Sequence, residues 1–176
     1  ADGGLEAGVV AVRDIDALRA LAAGEVAGKI VFLSGRTERT RDIAGYRRAV
    51  RARSDGAAAA AAQGAVAVVI RSIGTGTHRF PHTGTVNYNI SQPRIPAVAL
   101  SNPDADALER QLASGREVSA RIRVTARDLP QVRSANVVAE FPGTDRADEI
   151  VLVGAHLDSW DPGTGALDDG AGVAIA

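Results

Sequence analysis

Apolar positions in this chain fall into short blocks, and the polar stretches between them predict strands alternating with helices. Residues 65–70, Ala-Val-Ala-Val-Val-Ile, are apolar without interruption, as in a buried strand. Shorter β-prone blocks occupy residues 9–12, 30–33 and 96–100. After the first block, Ile15, Leu18 and Leu21 share one helical face, with Asp14 placed to cap that helix and Gly24 to end it. The alanine-rich stretch 46–63 favours a second helix that Gly64 stops, and Gly56 weakens its middle by about 1 kcal/mol. Asn102 followed by Pro103 reads as a cap and first turn, predicting a helix to residue 114. In residues 117–127, Val118, Ala120, Ile122, Val124 and Ala126 alternate with polar positions, which predicts a half-buried strand. Residues 34–44 and the longer 72–94 read as loops, and a loop of the second length is usually functional or mobile.

Residues 130–134 read as a hinge. Beyond it, 136–141 and 149–155 predict two strands joined by the turn-rich segment 142–148. Val151-Leu-Val153 lacks alternation, so its strand is expected in a sheet covered on both faces. Asp169 and Gly170 then open a helix of small residues. The pattern places the chain in the α/β class with a boundary near residue 130. Residues 1–130 close on themselves, and residues 131–176 open a second domain.

Composition narrows the function. Hydrophobic residues make up 45% and charged residues 23%, ordinary values for a globular protein. Twenty basic and 21 acidic residues leave a formal charge of −1, so no surface for polyanions is implied. The Arg-rich stretch 36–53 is interrupted by acidic residues and lacks aromatic stacking partners, which argues against nucleic acid as a partner. There are no cysteines, so disulfides and thiolate metal sites are excluded. No apolar run approaches the roughly 20 residues of a membrane span. The first residues, Ala-Asp-Gly-Gly, carry neither an initiator Met nor a leader pattern, and the last helix breaks off. An internal piece of a longer polypeptide is expected.

Chemistry concentrates in residues 156–172, His-Leu-Asp-Ser-Trp-Asp-Pro-Gly-Thr-Gly-Ala-Leu-Asp-Asp-Gly-Ala-Gly. Residues i and i+2 of a strand share a face, so His156 and Asp158 stand side by side where the strand leaves the sheet. Ligands of open α/β sheets bind at that end. A metal-bound imidazole usually donates its other N–H to a carboxylate. Asp158 suits that role or direct ligation, and spacing does not choose between them. Gly163 and Gly165 let the following loop fold back so that Asp168 meets His156. A carboxylate there could bridge two metal ions, and zinc suits such mixed ligation. Taken singly, His-x-Asp is more often a surface pair, and Asp-Asp-Gly more often a helix cap or turn. In the order strand, glycine loop, helix, they read as half of a two-metal hydrolytic site.

This block resembles the first metal-binding motif of the M28 family of zinc exopeptidases, and within it the carboxypeptidase Q branch. Upstream, Gly64-Ala-Val-Ala, Ile70-Arg-Ser72, Pro81-His-Thr-Gly84 and Arg94-Ile-Pro-Ala97 resemble that branch's inserted protease-associated (PA) domain. The resemblance implies that residues 1–130 form the PA domain and residues 131–176 the first part of an α/β peptidase domain. It implies His156 as a ligand of one zinc, Asp168 as the ligand bridging two zincs, and Asp158 as the catalytic residue that orients His156. The Asp168–Asp169 peptide would be cis. Further ligands and the general base would lie downstream of residue 176.

The same resemblance implies a secreted enzyme, extracellular or periplasmic, that acts on small peptides, with a homodimer as the arrangement it suggests and no membrane partner. The 176-residue chain alone is expected to be inactive. The rival readings are a PA-type binding or capping module and an inactive relative of the peptidases. His78 and His82 read as solvated loop histidines, or as loop groups reaching a substrate. Trp160, the single Trp, either packs beside the metal loop or lines the substrate pocket.

Overall fold

Apolar blocks without alternation have two faces to bury, and the computed structural model meets that demand with a sheet sandwiched between helices. It describes residues 4–22, 24–88, 91–160 and 163–176. The chain divides into two compact units, Ala1–Arg127 and Asp128–Ala176.

The first unit is α/β. Strands β1 (Leu5–Val12), β2 (Ile30–Leu33), β3 (Ala67–Arg71), β4 (Ala97–Leu100) and β5 (Ser119–Ile122) form one sheet in the order β4-β3-β2-β1-β5. The first four pair in parallel, and β5 runs antiparallel to the start of β1. Successive side chains serve opposite faces. Val31, Leu33, Val68 and Ile70 pack with helices α1 (Ile15–Arg19) and α3 (Gly56–Ala62). Ile30, Phe32, Ala67 and Val69 lie in a second cluster with Ala105 of helix α4 (Asn102–Ala113) and Ile122 of β5. All nine residues of β2 and β3 are buried. Asp14 caps α1 as expected, its carboxylate accepting the Ala17 N–H at 2.8 Å.

Several elements depart from the sequence reading, each for a local reason. The predicted helix 46–63 is two helices, α2 (Ala44–Ser54) and α3, separated by Asp55. Gly56 opens the second, where a Cβ would lie 2.7 Å from Leu33 Cδ1. Bare backbone there lets α3 approach β2, so the glycine serves packing rather than only weakening a helix. The α4 cap is Ser101, not Asn102. Its hydroxyl accepts the Asp104 N–H, while the Asn102 amide donates to the carbonyls of Gly74 and Gly76 at 3.2 and 2.9 Å. Strand β5 covers only part of residues 117–127, and its register with β1 runs from Ile122 opposite Leu5 to Ser119 opposite Gly8.

One buried cation fastens the helix layer to the sheet. Arg71, 2% exposed, ends β3. It donates to the carbonyls of Ser34 and Asn102 at 2.8 and 3.1 Å and to the carboxylates of Asp106 and Glu109 at 2.6 and 2.7 Å. Arg36 reaches the same two carboxylates from outside at 2.6 and 3.0 Å. Elsewhere in the 36–53 stretch, Arg48 pairs with Glu38 and Arg51 with Asp16.

In the second unit, α5 (Gly170–Ile175) is the one helix or strand among the described residues. The strands expected at 136–141 and 149–155 are not formed. Ile150, Val151 and Leu152 are 86–90% exposed, and no described residue hydrogen-bonds to them as a neighbouring strand. An apolar run specifies a buried strand only where a partner ladder exists to bury it. No helix among the described residues is long and apolar enough to cross a membrane.

Arg71→Ala is expected to lower stability by about 2–4 kcal/mol in urea unfolding at neutral pH, because two carboxylates lose their buried partner. The Arg71 guanidinium holds the Asp106 carboxyl below the usual range. That contribution is complete above the unfolded carboxyl value of about 3.9 and fades as pH falls through the lower folded value. The gap between wild type and variant should therefore narrow in acid. A constant gap down to pH 2 would contradict the assignment.

Candidate metal centre

The loop between His156 and Asp168 returns on itself through backbone bonds. Trp160 carbonyl accepts the Gly163 N–H at 2.8 Å, and Gly165 carbonyl accepts the Gly170 N–H at 2.8 Å. Gly165 has φ +67°, and a Cβ on it would sit 2.7 Å from Ser159 Cβ, so the turn requires glycine. The expected fold-back by loop glycines is thus present at Gly165. Asp161 and Pro162, inside the same block, lie outside the described residues.

The return brings the predicted residues together. His156 Nε2 lies 3.0 Å from Asp168 Oδ1. Its Nδ1 lies 2.9 Å from the Asp158 main-chain carbonyl and 3.1 Å from that residue's carboxylate. Asp158 therefore addresses one ring nitrogen and Asp168 the other. The Asp168–Asp169 peptide is cis. A cleft of about 220 Å³, lined by His156, Asp158, Thr164, Asp169, Gly170 and Val173 among others, opens beside the imidazole.

With an acceptor facing each nitrogen, the ring is best served by carrying both protons. The His156 pKa is accordingly raised above 6.5, first by the hydrogen bond to the Asp158 carbonyl and then by the Asp168 carboxylate. A divalent cation can take the place of the Nε2 proton. Two ligands at about 2.1 Å in a tetrahedron stand about 3.4 Å apart, close to the observed separation of the nitrogen and carboxylate oxygen. The donor types also suit zinc, a neutral imidazole with a carboxylate. The pair makes half a site. No group of three or more His, Asp or Glu that could hold a metal ion forms among the described residues.

One residue of this region was read only as a helix cap or turn. Asp169 precedes α5, yet its carboxylate makes no hydrogen bond to that helix; it accepts the His156 backbone N–H at 3.2 Å instead. Nothing in the sequence signals that choice. The other two histidines lie in the first unit, and His82 is held within its own loop. Its backbone N–H donates to Ser72 Oγ at 2.7 Å, and its Nδ1 lies 2.9 Å from the Ile73 carbonyl. Trp160 is 61% exposed.

Known proteins resemble both units. Residues 5–108 match the PA domain, and residues 136–176 match peptidase family M28. The chain is 37% identical to carboxypeptidase Q of Mus musculus over 174 residues, covering 99% of this chain and 36% of that protein. It is 36% identical to carboxypeptidase Q of Homo sapiens over 173 residues, covering 98% of this chain and 35% of that one. The crystal structure of a peptidase M28 precursor from Shewanella amazonensis SB2B superposes with a TM-score of 0.86 at 47% identity, covering 98% of this chain and 39% of that one. The chain thus spans between a third and two fifths of the length of these relatives.

In a metal-free NMR titration, the His156 ring should titrate with a midpoint above 6.5. Asp168→Asn should lower that midpoint only in part, since the Asp158 carbonyl remains. A midpoint at or below the ordinary histidine value would refute the arrangement.

Proposed function

We propose that the protein, which belongs to the PA domain family through residues 5–108 and matches peptidase family M28 over residues 136–176, is a zinc-dependent exopeptidase. It hydrolyses peptide bonds near a chain terminus, in small peptides or dipeptides. The observation that supports this most directly is the approach of His156 Nε2 to Asp168 Oδ1 across a twelve-residue return. In this reading residues 1–130 are the PA domain, acting as a cap or binding module, and residues 131–176 begin the catalytic domain. Location outside the cytoplasm, extracellular or periplasmic, goes with the same reading.

The residues act as follows. His156, through Nε2, and Asp168, through its carboxylate, are the residues of this chain that would hold the metal. Asp158 accepts the hydrogen bond from Nδ1–H, which fixes the tautomer that leaves Nε2 free and raises the basicity of the ring. Zinc held there would supply a water acidified toward a pKa of about 7 and a Lewis acid for the scissile carbonyl. Two donors alone hold zinc weakly, so the remaining ligands and the proton acceptor come from outside these 176 residues.

In the full-length protein, His156→Ala should abolish dipeptide hydrolysis, and Asp158→Ala should reduce kcat by about 10–100-fold. Metal analysis should find zinc lost from Asp168→Ala. Near-normal turnover of Asp168→Ala with its zinc intact would overturn the assignment. The 176-residue chain with added zinc should show no turnover, and measurable activity would show that further ligands are not required.

A further inference from the structure

Resting on that metal-site reading, we infer that Asp169 is a positioning residue for His156. An aspartate immediately before a helix ordinarily turns its carboxylate onto the first-turn N–H groups. The Asp169 carboxylate does not. Its Oδ2 accepts the His156 N–H at 3.2 Å, so the residue that opens α5 holds the backbone of the proposed ligand thirteen positions upstream. The two proposed ligands are thereby joined twice, directly by His156 Nε2 facing Asp168 Oδ1 and indirectly through Asp169, which is bonded to Asp168 by the peptide and to His156 by this hydrogen bond.

A second feature, independent of the hydrogen bond, fits the same role. Gly172 lies in the first turn of α5, and a Cβ on it would come 2.2 Å from Asp169 Oδ1 and 2.7 Å from Cγ. The carboxylate occupies the space a side chain at 172 would need, so glycine there keeps Asp169 in place. The two aspartates then divide the work. Asp168 faces the imidazole nitrogen that would meet a metal, and Asp169 fixes the backbone from which that imidazole projects.

The experiment uses the full-length enzyme reconstituted with cobalt(II), whose visible spectrum reports ligand geometry. Asp169→Ala should shift the spectrum and weaken cobalt affinity by about 10–100-fold, the usual effect of removing a ligand's supporting partner. Gly172→Ala should reproduce that shift, since its methyl displaces the carboxylate. Asp169→Asn keeps an oxygen acceptor of the same reach and should retain the wild-type spectrum. Asp169→Ser, a good helix cap but too short to reach His156, should resemble Asp169→Ala.

Each alternative has its own signature. Wild-type behaviour of Asp169→Ser would mean that Asp169 merely caps α5. Complete loss of cobalt from Asp169→Asn would make it a metal ligand. Either result overturns the proposal. Asp168→Ala serves as the control, because indifference of the spectrum to that change would sink the metal-site reading itself rather than the role of Asp169.

Discussion

A guanidinium with almost no access to water organises the first unit. Arg71 stands at the end of β3, where parallel strands leave carbonyls that the sheet no longer pairs, and it answers two main-chain oxygens and two carboxylates at once. Removing a cation from water is tolerable only when all its donors find acceptors in good geometry. That condition fixes the separation of α4 from the strand ends, because Asp106 and Glu109 lie one helical turn apart and must both reach the same planar group. Arg36 supplies a second positive charge from the solvent side, so the pair of carboxylates meets a pair of cations.

The second unit rests on a different constraint. Its described residues hold little regular structure, yet the segment from His156 to Gly172 is closed by side-chain and backbone bonds that need no surrounding core. Two requirements operate there, a turn that only glycine can make at residue 165 and an imidazole with acceptors on both edges. The proposed chemistry needs that local geometry, and the apolar blocks around it are not what produces it. Fold and candidate site are therefore specified at different ranges, one by burial across a sheet and the other by contacts within a short loop.

That difference explains what could be read from the sequence. Strand β2 was legible to the residue, because four consecutive apolar side chains between a glycine–lysine pair and a polar stretch have few other uses. The pairing of His156 with Asp168 was legible because strand, glycine loop and helix start follow in an order that turns the chain back. Details that depend on neighbours distant in sequence were not. The need for glycine at 56 depends on Leu33, the extent of β5 on its register with β1, and the exchange of roles between Ser101 and Asn102 on a loop some 28 residues upstream. The strands read at 136–141 and 149–155 fail for the same cause, since apolar sequence records a preference for burial but cannot supply the partner that satisfies it.

The unpaired run Ile150-Val-Leu-Val153 has a practical side. It is an exposed, uncharged and mostly β-branched tetrapeptide with no strand partner among the described residues, the combination from which intermolecular sheets nucleate. A polypeptide limited to these 176 residues would carry a colloidal liability in its second unit. Solubility on storage, rather than thermal melting of the sheet, would then decide how concentrated a sample can be made.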